Sequence, residues 1–349
     1  MEEIIKFLEN PPNKKALVIG DLMLDKYFFG SVDRISPEAP VPVVNVKKVE
    51  NRIGGAGNTA LNLKNLGIEV DIIGIVGEDE NGHELLKLFE KNKIKTDFII
   101  KDSRTTTTKI RVVSKNQHLI RIDFENNKII DKAIEEKILK ILEKAIKDYD
   151  LIIISDYNKG LISEKICEFT INKSKFTIVD PKGKNWNKYR NANIITPNVK
   201  ELSEGLNETI ENEDYLLEKM GKLAIEKFNF ESIVITRSEK GLSYIDRYRV
   251  LHVPTYESEV YDVSGAGDTV VAVLGFGILC SLEIEKILKF ANFCASIVIR
   301  HIGTYPIKKE DILSAPRGTW TPNLRIRSPP LYPVELWAQV KNFKGKYKP

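Results

Sequence analysis

Four consecutive apolar runs end in polar clusters, and a fifth near the start of the chain does the same. Lys15-Ala-Leu-Val-Ile-Gly20 stops at Asp21, and Leu151–Ser155 runs into Asp156-Tyr157-Asn158-Lys159-Gly160. Residues 176–179 lead to Asp180-Pro181-Lys182-Gly183, residues 194–196 to Pro197-Asn198-Val199-Lys200-Glu201, and residues 233–236 to Arg237-Ser238-Glu239-Lys240-Gly241. A run apolar throughout reads as a strand buried on both faces, as in a parallel sheet covered by helices. One polar end is a turn. Four in succession set charged groups along one sheet edge, and open α/β sheets bind ligands at the carboxyl ends of their strands. The pattern predicts an α/β fold with a mostly parallel, doubly wound sheet and a crevice along that edge.

A second stretch points to chemistry. Asp262-Val263-Ser264-Gly265-Ala266-Gly267-Asp268 precedes an apolar helix predicted over 269–279. Small residues let the loop turn tightly and present backbone N–H groups, and the positive end of a helix dipole favours anions there. Asp268 adds a carboxylate beside that anion site. Such a pairing suits a base that takes a proton from a hydroxyl attacking a phosphoryl group. Gly-rich turns also open helices for packing alone, with Asp a favoured first-turn residue, so these seven residues leave both readings open.

Gly54-Gly55-Ala56-Gly57-Asn58 opens another helix, predicted over 59–66. The dinucleotide spacing Gly-x-Gly-x-x-Gly is missing and no strand is expected directly before it, so we read a backbone-lined pocket for a polyhydroxy ligand. Strands are expected at 70–76 and 97–100, helices at 81–92, 131–146 and 284–300, and hairpins at 105–123 (turning at Lys115-Asn116) and 241–254. Residues 27–30 and 41–49 alternate or carry prolines, as exposed or edge strands do.

Composition narrows the function classes. No apolar run approaches the ~20 residues of a membrane span, and the N-terminus lacks a signal-peptide pattern, so a cytoplasmic protein is expected. Three cysteines without metal or redox spacing read as reduced thiols. The net charge of +4 is concentrated at one end: from Ser314 onward seven Lys or Arg face one acid, leaving residues 1–313 at −2. A nucleic-acid surface on the main body is therefore not expected. Residues 314–349, with six of the fifteen prolines and no periodicity, are expected to be a basic, Pro-rich, disordered tail after a single domain of residues 1–313.

Gly265-Ala-Gly-Asp268, Gly54-Gly55 and Asn198-x-x-Glu201 together resemble the ribokinase-like carbohydrate kinase family over residues 15–313. Gly20-Asp-Leu-Met-Leu-Asp25, Arg34-Ile-Ser-Pro-Glu-Ala-Pro-Val-Pro42, Leu119-Ile-Arg-x-Asp123, Ser155-Asp-Tyr-x-Lys-Gly160 and Asp180-Pro-Lys-Gly183 are similar to one branch, the D-glycero-β-D-manno-heptose-7-phosphate kinases. The resemblance implies a three-layer fold with a small β-sheet lid (about 27–49 and 105–123) that pairs two subunits. It also implies transfer of phosphate from ATP to the anomeric hydroxyl of heptose 7-phosphate, on the route to lipopolysaccharide-core precursors. No His-x-Gly-His motif follows residue 313, which implies a kinase without the nucleotidylyltransferase activity often fused to this branch.

Residue by residue, the resemblance makes Asp268 the catalytic base and Gly265, Ala266 and Gly267 the anion hole. Asn198 and Glu201 organise Mg²⁺ (Glu201 through water) and the nucleotide phosphates, with Thr236, Ser238, Gly241 and Asn292 on the nucleotide side. Asp21, Asp25, Gly54, Gly55, Asn58 and Asp156 fall to the sugar pocket. Arg111, Arg121 and Lys182 are candidates for the phosphate already on the substrate, since cationic forks and ammonium groups match it; each is otherwise a solvated surface charge. A kinase for another sugar phosphate or a nucleoside, and a catalytically silent regulatory protein, are the alternatives, with nucleic-acid binding through the tail a third.

Overall fold

The computed structural model describes residues 2–115, 117–256 and 258–315. Of the tail expected over residues 314–349, residues 316–349 lie outside the described residues, as does Asn116. The chain runs α1 (Glu2–Glu9), β1 (Lys15–Gly20), β2 (Leu22–Ile35), β3 (Pro42–Gly55), α2 (Ala56–Asn65), β4 (Glu69–Gly77), α3 (Glu80–Lys91), β5 (Ile99–Asp102), β6 (Thr108–Ser114) and β7 (Gln117–Phe124). It continues through α4 (Lys132–Ala145), β8 (Leu151–Ser155), α5 (Glu164–Lys173), β9 (Thr177–Asp180), β10 (Ile194–Ile195), α6 (Val199–Leu206), α7 (Asp214–Phe228) and β11 (Ser232–Thr236). The hairpin β12 (Leu242–Asp246) and β13 (Val250–Val253) follows, then α8 (Ala266–Leu279), α9 (Ile284–Val298) and α10 (Lys309–Leu313).

The main sheet has the order β13-β12-β11-β10-β9-β8-β1-β4-β5, and every pair from β11 to β5 is parallel. Its strands are apolar throughout because both faces are covered. Val18 and Ile153 pack into one core with α2, α8 and α9, whereas Leu17, Ile19, Ile152 and Ile154 pack into another with α4, α5 and α7. The order reverses at β1, between β8 and β4, and a crevice opens at such a switch point. Among the described residues no helix is long and apolar enough to cross a membrane.

A second sheet, β3-β2-β6-β7, leaves the first after the single residue Asp21. Its strands reach further than the sequence suggests, to 22–55 and 108–124, and β2 is internal rather than an edge. β3 also runs straight into α2, contrary to the expectation that no strand precedes it. Gly55 makes the join possible, with a φ of 58° that few other residues tolerate. Residues 41–49, expected as an exposed or edge strand, do lie in the edge strand β3, which Pro42 enters at its first position, where a missing N–H matters least.

The two faces of this sheet differ. Val49, Phe28, Val112 and Ile120 stand in one row across all four strands. The next rows, on the opposite face, read Glu50–Tyr27–Arg111–Arg121 and Arg52–Asp25–Lys109–Asp123. The polar face covers the carboxyl ends of the main sheet.

Candidate active site

α8 begins three residues earlier than its apolar run suggests. Gly265 takes a left-handed φ of 81° as its N-cap, so Asp268 becomes the third helical residue. First-turn amides have no intrahelical acceptor, and a Cβ at Gly267 would meet nothing within 4 Å. The N–H groups of Gly267 and Asp268 thus open onto the crevice at the positive end of the helix. Ala266 departs from its expected role: its N–H donates to the Val263 carbonyl at 3.2 Å and closes the turn instead.

Asp268 is buried and held by three donors. Asn58 Nδ2 reaches Oδ2 at 2.7 Å, while Thr59 Oγ1, at 3.4 Å, and the Tyr157 hydroxyl reach Oδ1. Burial pushes the carboxyl up to about 6, with the charge of Asp25 adding to it and the three donors opposing. Asn58 was expected in the sugar pocket, but its amide is engaged at both ends, with Asn62 Nδ2 3.2 Å from its oxygen.

Tyr157, Asp180, Asn198, Glu201 and Thr236 line the same cleft of about 160 Å³ as Asp268 and Gly267. Asn198 and Glu201 form a capping box at the start of α6, each side chain accepting from the other's backbone N–H at 2.9 Å. The remaining Glu201 oxygen accepts from Lys182 Nζ at 2.7 Å. Lys182 therefore sits on the Glu201 side and not among the sugar-side carboxylates where it was expected. Burial, then Glu201 and Asp268, push the Asp180 carboxyl well above the usual range. Three carboxylates in one another's field favour a cation.

That donor set is hard oxygen, and among the described residues no group of three or more His, Cys, Asp or Glu forms a closed metal cage. The combination fits Mg²⁺, which keeps several waters and is held by one or two carboxylates together with substrate phosphates. Thr236 lines this cleft and bridges to Asn198. Ser238 and Gly241 instead shape the turn after β11: both have positive φ, and a Cβ on Gly241 would lie 2.1 Å from the Val253 carbonyl oxygen. Asn292 differs from its expected nucleotide role. Its amide donates to the Val253 and Pro254 carbonyls at 3.0 and 3.1 Å, fastening α9 to β13.

On the sugar side two carboxylates prove to be anchors. Asp21 accepts from the backbone N–H groups of Tyr157, Lys159 and Leu161 at 2.9, 3.0 and 3.3 Å, and burial, then Asp156, push it up to about 6. Asp156 is enclosed by Lys188 Nζ (2.5 Å), the Tyr189 hydroxyl (2.6 Å) and Asn158 N (2.6 Å). Both carboxylates hold loops. Asp25 does sit over the crevice, accepting from Arg111 Nη1 at 2.6 Å and Thr304 Oγ1 at 2.5 Å. Gly54 keeps it there, because a Cβ would fall 2.6 Å from Asp25 Oδ2.

The three cations expected for the substrate phosphate are all engaged. Arg111 is buried against Asp25, Arg121 forks its strand-mate Asp123 at 2.8 and 2.7 Å, and Lys182 pairs with Glu201. Sequence reasoning missed Tyr157 and Asp180 as site residues, although both lie at strand ends whose polar character was plain. It also missed Asp262, which accepts from His118 Nε2 at 2.9 Å, Gly303 N at 2.8 Å and Ser264 N at 2.9 Å. Burial pushes its carboxyl up, but these donors outweigh it and hold it well below the usual range.

Comparison with known proteins adds a family to this geometry. The bifunctional protein HldE of Nitratiruptor sp. is 41% identical over 299 residues, covering 85% of this chain and 64% of the relative. That of Aliarcobacter butzleri is 43% identical over 310 residues, covering 87% and 64%. The chain thus spans less than two thirds of the length of these relatives. Among solved structures, phosphofructokinase-2 from Escherichia coli in complex with substrates and products shares the fold with a TM-score of 0.73 at 16% identity, covering 86% of this chain and 97% of that one. The pattern of the pfkB family carbohydrate kinases matches residues 13–311, and the chain belongs to that family.

Proposed function

We propose that this protein transfers the γ-phosphoryl group of ATP to the anomeric hydroxyl of D-glycero-β-D-manno-heptose 7-phosphate, giving the 1,7-bisphosphate for ADP-heptose and lipopolysaccharide-core precursor synthesis in the cytoplasm. The observation that carries the chemistry is one buried carboxylate, Asp268, at the open amino end of α8. Family membership supplies the kinase class. The heptose branch is supported by its motifs and by relatives about 40% identical over the same span.

In this reading Asp268 accepts the proton of the anomeric hydroxyl as its oxygen attacks the γ-phosphorus. Oδ1 is occupied by Tyr157 and Thr59, whereas Oδ2 carries Asn58 alone. A carboxylate oxygen has two acceptor sites, so Oδ2 keeps one for the substrate. A base poised near 6 is ionised at neutral pH yet accepts a proton readily, an effect typically worth about 10²–10⁴-fold in rate. The Gly267 and Asp268 amides stabilise the negative charge that develops on the transferring group. Mg²⁺, held by Glu201 through water with Asp180 nearby, would neutralise phosphate charge. Asn198 and Thr236 line the path of the nucleotide phosphates, and Asp25 meets sugar hydroxyls.

The apolar outer face of the second sheet supports a homodimer. Val46, Val49, Ile120, Ile122 and Phe124 are all more than 40% exposed there, and a contiguous apolar patch of this kind marks an association surface. A second copy presents the same face and makes a closed, two-fold interface.

The test is ADP release by the purified protein with ATP and Mg²⁺, offering heptose 7-phosphate, fructose phosphates, ribose and adenosine in parallel. Strong preference for the heptose supports the reading. Preference for another acceptor overturns the substrate and keeps the kinase.

A further inference from the structure

The polar face of the second sheet carries four basic side chains on β6 and β7: Lys109, Arg111, His118 and Arg121. Three have a carboxylate. Arg111 pairs with Asp25, Arg121 with Asp123 and His118 with Asp262. Lys109 has none within 4 Å among the described residues. The register sharpens the point, since its neighbours across the strands are Asp25 on one side and Asp123 on the other. Both carboxylates bond other groups instead. Arg111 and Thr304 hold the two oxygens of Asp25, and the Arg121 fork covers both oxygens of Asp123.

The Lys109 ammonium rests instead over the ring of Tyr157, 5.8 Å from its centroid. The hydroxyl of that ring bonds Asp268. One aromatic ring therefore separates a cation without an ion-pair contact from the proposed base. Burial holds the Lys109 ammonium below the usual lysine range, with Arg121 and Arg111 reinforcing the shift and Asp25 and Asp123 opposing it. A desolvated charge without a counter-ion is unfavourable, and an arriving anion relieves it.

We propose that Lys109 binds the phosphate ester already carried by the sugar and so selects phosphorylated over unphosphorylated acceptors. This assignment rests on the sugar-phosphate kinase reading above. A compact ammonium suits the role as a point charge for phosphate. Its placement one ring away from Asp268 lets a single sugar reach both groups, a hydroxyl at one end and the ester at the other.

The test compares Lys109→Met with Lys109→Arg, measuring kcat and KM for heptose 7-phosphate and for the same heptose without phosphate. In Lys109→Met the preference for the phosphorylated acceptor falls roughly 10- to 100-fold, the size of one charge-assisted hydrogen bond. The loss sits in KM for the phosphorylated sugar while KM for ATP stays put, and Lys109→Arg recovers most of it. Equal losses on both acceptors in Lys109→Met, or an unchanged KM for the phosphorylated sugar, overturn the proposal. If the wild type prefers a different phosphorylated sugar, the same comparison with that sugar and its unphosphorylated form tests Lys109 while the heptose reading alone falls. A wild type that prefers unphosphorylated acceptors contradicts both.

Discussion

Replacing Asp268 by Asn should make the ligand-free protein more stable while abolishing turnover. The carboxyl is raised from 3.8 to about 6 by burial and by Asp25, a shift of about 2 pH units or ~3 kcal/mol of penalty on the ionised form. The amide removes that charge, and its oxygen still accepts from Asn58 Nδ2; its NH₂ group faces the Tyr157 and Thr59 oxygens, whose hydroxyl hydrogens lose Oδ1 as acceptor. Bonds to a carboxylate are stronger than those to an amide and displaced hydroxyl donors cost more, so most of the gain is returned and ~1 kcal/mol remains, a rise in Tm of about a degree or two for a chain of this size. The sign depends on pH. The native carboxyl keeps its proton to higher pH than the unfolded chain does, so wild-type stability from this group is intact below about 4 and lost as pH rises through about 6. The variant's advantage should therefore be full at pH 8 and vanish near pH 4. Thermal unfolding of both proteins at pH 8, 6 and 4 measures it. A variant less stable than wild type at pH 8, or an advantage that does not shrink on acidification, refutes the strained-base argument.

Other expectations follow from the same geometry. In Tyr157→Phe the carboxyl of Asp268 loses a donor that lowers its pKa; the acid limb of kcat/KM, expected near pH 6 in wild type, should move upward, and activity should recover at pH 8–9. Gly54→Ala drives a methyl toward Asp25 Oδ2 and displaces the Arg111 and Thr304 bonds, so KM for the sugar should rise at least tenfold with little change in KM for ATP. Ile120→Asp together with Ile122→Asp puts charge on the outer face of the lid, and size-exclusion chromatography should then report a monomer that still folds.

What the sequence made legible were features written in neighbouring residues. The apolar runs at 151–155 and 233–236 read as doubly covered strands, which they are, and Tyr157 and Thr236 at their ends line one crevice. Asp268 was visible because its loop, its glycines and its helix are contiguous. What the sequence hid were side-chain partners that lie far along the chain. Asp156 reads as a ligand group until Lys188 and Tyr189, more than thirty residues on, enclose it. Arg111 reads as free until Asp25, 86 residues earlier, is found beside it. The start of α8 was misplaced because Gly265 sets it through backbone conformation rather than through apolar periodicity. Lys109 could not be singled out from Arg111 and Arg121 on composition; only the ion pairs those two arginines make with Asp25 and Asp123 set it apart.

The most direct test of the central claim is the position of the new phosphate. Wild-type protein with ATP, Mg²⁺ and heptose 7-phosphate should yield a product whose ³¹P NMR spectrum adds one resonance, coupled to the anomeric proton, with ADP released in equal amount. A phosphate on any other carbon, or ADP released without a phosphorylated sugar, contradicts the account.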